Sequence, residues 1–137
     1  MEKTTASVAQ QIAEAAVAFE RKRTGHAPES VTVVLGNDTL VITLHGALSQ
    51  AERSLAQTPD GAREVQEFHR QLFKNSADGL RQDIKRITGV DVRDATTEVE
   101  TKTGTVVQVF SSGTVVQVFL LAKGVPAGSW SDTGKDA

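Results

Sequence analysis

Apolar side chains at Val8, Ile12, Ala15 with Ala16, and Phe19 recur at spacings of four, three and four residues. That recurrence is the stripe of an amphipathic helix over residues 5–23, and the surrounding alanines favour the same conformation. Thr4, Thr5 and Ser7 are candidate caps. Arg21, Lys22 and Arg23 put positive charge at the negative end of the helix dipole, and Gly25 followed by Pro28 ends the helix.

The period then changes. Residues 31–35 (VTVVL) and 40–44 (LVITL) are β-branched and aliphatic, and they flank Gly36-Asn37-Asp38-Thr39. Two such runs around a small polar turn predict a β-hairpin. Ser49 and Glu52 have the spacing of a capping box, so a short helix is expected to about Gln57, ended by Thr58-Pro59. Asp60 is the expected cap of a longer helix with the stripe Val65, Phe68, Leu72 with Phe73, Ala77, Leu80, Ile84 and Ile87. Gly79 is its weak point and Gly89 its stop. From Val90 the period falls to two: Val90, Val92 and Ala95 face one way, Asp91, Arg93 and Asp94 the other. This predicts a third strand to about Glu100, and Thr101-Lys102-Thr103-Gly104 a turn after it.

The string GTVVQVF follows at 104–110 and recurs at 113–119 after Ser111-Ser112. A turn at Ser112-Gly113 would pair Phe110 with Val115, Val109 with Val116, Gln108 with Gln117, Val107 with Val118 and Val106 with Phe119. One face would then be valine alone and the other a glutamine pair between two Val–Phe pairs, a self-consistent hairpin. TVVQVF is also a proline-free β segment of low charge, which at a sheet edge pairs readily with another chain. A homo-oligomer, with a dimer favoured, is therefore expected, its interface at Val107, Val109, Phe110, Val116, Val118 and Phe119. From Lys123 the chain turns small and polar, which predicts one domain over 1–122 and a mobile tail over 123–137.

Strands segregated from helices in this order (α-ββ-αα-β-β, with a further β for the second copy) predict the α+β class. The expected architecture is an antiparallel sheet of four to five strands with helices on one face.

Composition narrows the function. A chain of 137 residues supports one core, and 39% hydrophobic with 23% charged residues suits a folded domain rather than a disordered one. A net charge of −2 gives no pull toward nucleic acid or an anionic membrane, and five Phe, one Trp and no Tyr do not make a base-stacking surface. With no cysteine there is no disulfide, thiolate metal site or cysteine nucleophile, which fits a cytoplasmic protein. The N-terminus lacks the apolar run of a signal peptide, and no stretch has the length of a membrane span, so membrane insertion is not expected.

Candidate chemistry is sparse. His26, His45 and His69 fall in a loop, at a strand end and on a helix, without metal-ligand spacing. Helix-face packing is the simple reading of His69. Glu98 and Glu100 alternate on one strand face and read as solvated. The Gly-rich phosphate loops and the Gly-x-Ser-x-Gly elbow are absent. No catalytic residue, metal or cofactor is expected, and the chain reads as a non-enzyme. Arg81, Lys85 and Arg86, like Arg21 to Arg23, fit solvated helix faces. Arg21, Arg23, Lys85 and Arg86 are the candidate contacts for an anionic ligand or a partner.

Several runs together resemble one family: Phe19-Glu20-Arg21, Thr24-Gly25-His26-Ala27-Pro28, the turn Gly36-Asn37-Asp38, and His45 through Ala56. Ile87-Thr88-Gly89-Val90-Asp91-Val92 and Thr101-Lys102-Thr103-Gly104 belong to the same set. Over residues 5–122 the chain resembles the MpsC-like family of small bacterial proteins. The resemblance implies a one-domain cytosolic protein associated with a membrane system that moves sodium or takes up inorganic carbon. It implies no catalytic residues. The family pattern has one strand after the Thr-Gly turn, so the second GTVVQVF reads as a nine-residue tandem duplication. The expected function is a non-catalytic accessory or regulatory protein of such a system. The alternatives are an anionic small-molecule sensor and a self-associating assembly protein.

Overall fold

The computed structural model describes residues 7–36, 38–111, 121 and 124. Helix α1 (Val8–Thr24) is followed by strands β1 (Ser30–Leu35) and β2 (Thr39–His45) and by helices α2 (Gln50–Leu55) and α3 (Pro59–Thr88). Strands β3 (Asp94–Glu100) and β4 (Thr105–Ser111) complete the described chain. The four strands form one antiparallel sheet in the order β1-β2-β4-β3, the expected α+β class. A fifth strand, and the domain boundary at residue 122, would involve residues outside those described.

The local stop and start signals act as expected. The Ser7 hydroxyl accepts from Gln10 N, and Gly25, at φ 78°, donates to the Arg21 carbonyl to close α1. Ser49 and Glu52 form a complete capping box on α2. Gly89, at φ 79°, closes α3 on the Lys85 carbonyl. The start of α3 differs from expectation: Thr58 is the cap, accepting from Gly61 N, while Pro59 and Asp60 occupy the first turn. Proline suits that turn because its missing N–H would have no helical acceptor there.

Both helical stripes hold at most positions, with Ile12 and Ala16 on α1 and Val65, Phe73, Ala77, Leu80 and Ile84 on α3 buried as expected. Each moves by one residue at a phenylalanine. On α1 the buried line is Ile12, Ala16 and Glu20, with Phe19 beside it only partly buried. On α3 it is Gly61, Val65, His69, Phe73, Ala77, Leu80 and Ile84, and Phe68 is left 53% exposed. In both helices a polar residue holds the core-facing position, and a pattern read from apolar residues alone slides to the neighbouring phenylalanine.

The hairpin of β1 and β2 pairs Leu35 with Leu40 through Ser30 with His45, and Gly36 N donates to the Thr39 carbonyl at 2.7 Å across the turn. Strand β3 starts at Asp94 rather than Val90. Residues 90–93 are irregular, held to the helix end by the Thr88 hydroxyl, which accepts from Val90 N at 3.0 Å. The turn after β3 is the expected one: Gly104, at φ 73°, donates to the Glu100 carbonyl, and the Glu100 carboxylate accepts from Thr103. Helices and sheet enclose one core, with Ile12 and Ala16 from α1, Leu40, Ile42 and Leu44 from β2, and Val99, Val106 and Phe110 from β3 and β4. Phe73 and Phe110 join α3 to the sheet with ring centroids 6.0 Å apart.

Strand β4 is the departure with most consequence. It is paired along one edge with β2 (Leu40 with Phe110, Thr43 with Val107) and along the other with β3 (Ala95 with Phe110, Glu98 with Val107). Both edges of the first GTVVQVF are therefore occupied, and the expected pairing of Phe110 with Val115 and its neighbours finds no edge there. A strand has two hydrogen-bonding edges, and the long-range pairing with β2 takes the one that a local hairpin would have used. The second copy, with Val116, Val118 and Phe119, lies outside the described residues.

Candidate functional site

Buried polar groups on the helices are the first feature of the site. His69 is 1% exposed on the core-facing line of α3, and its Nε2 lies 2.7 Å from Glu52 Oε2 on α2. Glu52 Oε1 accepts from Ser49 N at 2.9 Å and from the Ser49 hydroxyl at 3.2 Å. One carboxylate thus caps α2 and ties it to α3. No residue of α2 is buried, so this ion-dipole link, rather than an apolar face, fastens the helix. Burial is the largest single influence on Glu52 and pushes its carboxyl up. The hydrogen bonds from His69 and Ser49 and the attraction of the imidazole outweigh it, and the pKa lies below the ordinary value. Among the described residues His69 Nδ1 has no hydrogen-bond partner.

A second buried pair sits at the end of α1. Arg23 Nη2 meets Glu20 Oε1 at 2.6 Å, the two side chains being 6% and 0% exposed, and the guanidinium lies 4.7 Å from the centroid of Phe19. Among the described residues Glu20 Oε2 and Arg23 Nε and Nη1 have no hydrogen-bond partner. A third polar group, Gln108 of β4, is 1% exposed between Ile42 and Thr97, its amide oxygen and nitrogen both without a hydrogen-bond partner among the described residues.

Two cavities flank the core. The larger, of about 450 Å³, is a groove between α3 and β3 with Ala95, Thr97, Phe73 and Ala77 among its lining residues. Arg70, Lys74 and Arg81 stand along it, with Asp78 and Glu98 beside them. Arg70 is engaged by Glu67 at 3.0 Å and reaches Glu98 at 3.8 Å. Among the described residues no ion pair engages Lys74 or Arg81. The smaller cavity, of about 270 Å³, opens at the end of the sheet where Leu35, Leu40, Ile84, Val90 and Phe110 meet.

The residues singled out from the sequence are scattered. Arg21 is exposed, Arg23 is buried against Glu20, Lys85 pairs with Asp91 at 3.0 Å and Arg86 with Asp83 at 3.2 Å. None of the four lines either cavity. Of the residues expected at an oligomer interface, Phe110 is in the core, Val107 is buried and Val109 is half-buried. His26 Nε2 is 3.1 Å from the Gly46 carbonyl and His45 Nε2 is 3.1 Å from the Thr32 hydroxyl, so the three histidines have separate partners. Among the described residues, no three His, Asp or Glu side chains gather in a way that could hold a metal ion. Sequence reasoning missed the Glu52–His69 pair and the Arg70–Lys74–Arg81 line. The second was legible in principle, because residues 70, 74 and 81 share one face of a long helix.

Fold and site define a two-layer α+β domain with polar pairs in its helical layer and a cationic groove along one sheet edge. The chain belongs to the family described as "Na+-translocating membrane potential-generating system (MpsC)", whose pattern matches residues 4–113. The match ends at Gly113, where the second GTVVQVF begins. The chain is also similar to the uncharacterised protein YbcI of Bacillus subtilis (strain 168), 26% identical over 110 residues, which are 80% of this chain and 89% of the relative. No solved structure matches it.

Proposed function

We propose that this protein is a non-catalytic accessory component that docks from the cytoplasmic side onto a membrane assembly that translocates sodium and generates membrane potential. The observation behind the reading is the family match over residues 4–113, which takes in every described helix and strand. Among the described residues no helix is long and apolar enough to cross a membrane, so any contact of these elements with such an assembly is made from outside the bilayer core. The test is co-sedimentation of the purified protein with washed membranes from cells that contain or lack the sodium-translocating subunits. Saturable binding that requires those subunits is the expected result. Equal binding to both membranes, or none to either, overturns the proposal.

The groove between α3 and β3 favours a second reading, a sensor of a small anion. Lys74 and Arg81 face that groove without ion-pair partners among the described residues, and a bound carboxylate or phosphate group would complete them. Bicarbonate, inorganic phosphate and a nucleotide each added in a thermal-shift assay test it. Stabilisation lost in the double variant Lys74→Ala/Arg81→Ala supports it, and no stabilisation by any of the three counts against it.

A further inference from the structure

Among the described residues strand β1 is an unguarded edge. Among the described residues it pairs with β2 alone, and its six residues, Ser30 to Leu35, include neither a charge nor a proline. Natural edge strands are normally blunted by lysine, proline, a bulge or an inward charge. Val34 is 58% exposed and Leu35 45% exposed at its end. The opposite edge, β3, is guarded: it carries Asp94, Glu98 and Glu100.

The hydrogen-bonding phase of β1 follows from its turn. Gly36 N donates to the Thr39 carbonyl, so Gly36–Thr39 is a hydrogen-bonded pair, and alternation makes Val34–Val41 and Thr32–Thr43 bonded pairs as well. The N–H and C=O groups of Val31, Val33 and Leu35 therefore point away from β2, along the edge. We propose that β1 pairs antiparallel with β1 of a second copy, about a two-fold axis through Val33, to join the two sheets into one.

This register is self-complementary on both faces. Toward the helices it sets Val33 against Val33 of the second copy and Val31 against Leu35, extending the layer in which Val31 and Val33 already pack on the core. On the other face it sets Thr32 against Val34 twice. It adds on the order of six hydrogen bonds, two for each bonded pair. No like charges meet. The same operation on β3, about Thr97, would set Asp94 against Glu100 twice, which like-charge repulsion opposes. Strand β4 is paired on both sides and has no edge to offer.

Three proteins compared by sedimentation equilibrium over a wide concentration range test the inference, with circular dichroism as the check on folding. The unaltered chain is expected to dimerise. Thr32→Lys/Val34→Lys puts lysine opposite lysine twice and should raise the dimer Kd by about tenfold or more. Thr32→Lys/Val34→Glu puts lysine opposite glutamate twice and should restore the dimer. A monomeric unaltered chain overturns the inference, whether or not it accepts a strand from another protein. So does a Lys/Lys variant that still dimerises, which would place the interface elsewhere, or a Lys/Glu variant that stays monomeric. If either variant fails to fold, Val33→Pro takes its place: proline at an outward-facing N–H leaves the β1–β2 pairing intact, and a dimer that survives it overturns the inference.

Discussion

Replacing Glu52 by Gln should cost about 2–4 kcal/mol of stability at neutral pH. The carboxylate has donors on both oxygens: Ser49 N and hydroxyl on Oε1, His69 Nε2 on Oε2. An amide offers one oxygen, so its NH2 group must face either the Ser49 N–H or the imidazole. Losing a hydrogen bond to a charged group removes about 1.5–3 kcal/mol, and weakening a helix cap removes about 1 kcal/mol more. Urea denaturation followed by circular dichroism measures the difference, and a double-mutant cycle with His69→Phe isolates the pair. The pH dependence has a definite sign. The Glu52 pKa is lowered in the folded protein, so its contribution is full above the ordinary glutamate range and is lost as pH falls through the lowered value. The gap between the native chain and Glu52→Gln should therefore close on acidification below that range. A cost under about 0.5 kcal/mol at pH 7, or a gap that widens on acidification, refutes the reasoning.

Three other substitutions probe different parts of the account. Gly61→Ala should destabilise by at least about 2 kcal/mol, because a Cβ there would lie 1.8 Å from the Leu55 carbonyl oxygen, and a melting temperature within a degree or two of the native value would contradict that close approach. Arg23→Met should cost about 3–5 kcal/mol by stranding the buried Glu20, while Glu20→Met/Arg23→Met should recover most of it; equal losses in the two variants would show that the pair is not the cause. Gln108→Leu should raise stability by about 1–2 kcal/mol, since the amide it removes is buried with neither end bonded among the described residues, and a loss on calorimetry would mean that the amide has a partner.

What was legible in the sequence was what depends on neighbours in the chain. Ser49 with Glu52, Gly25, Gly89 and the Thr101–Gly104 turn all act within four residues, and all behave as expected. The α+β class followed from the order of periods. The strand order did not follow, because the insertion of β4 between β2 and β3 is set by pairings such as Ile42 with Gln108, far apart in sequence. That insertion is also why the GTVVQVF repeat misleads: its local hairpin is favourable in isolation but competes with β2 for the same edge. The Glu52–His69 pair was hidden for the same reason, since 17 residues separate the partners. Glu20, His69 and Gln108 occupy core positions that an apolar pattern assigns to no one.

The most direct test of the account is functional. Membrane vesicles from cells deleted for this protein should develop a smaller sodium-dependent membrane potential, read with a potential-sensitive dye, and the purified protein added to the cytoplasmic face should restore it. A potential that is unchanged by the deletion and by the addition would contradict the proposed role.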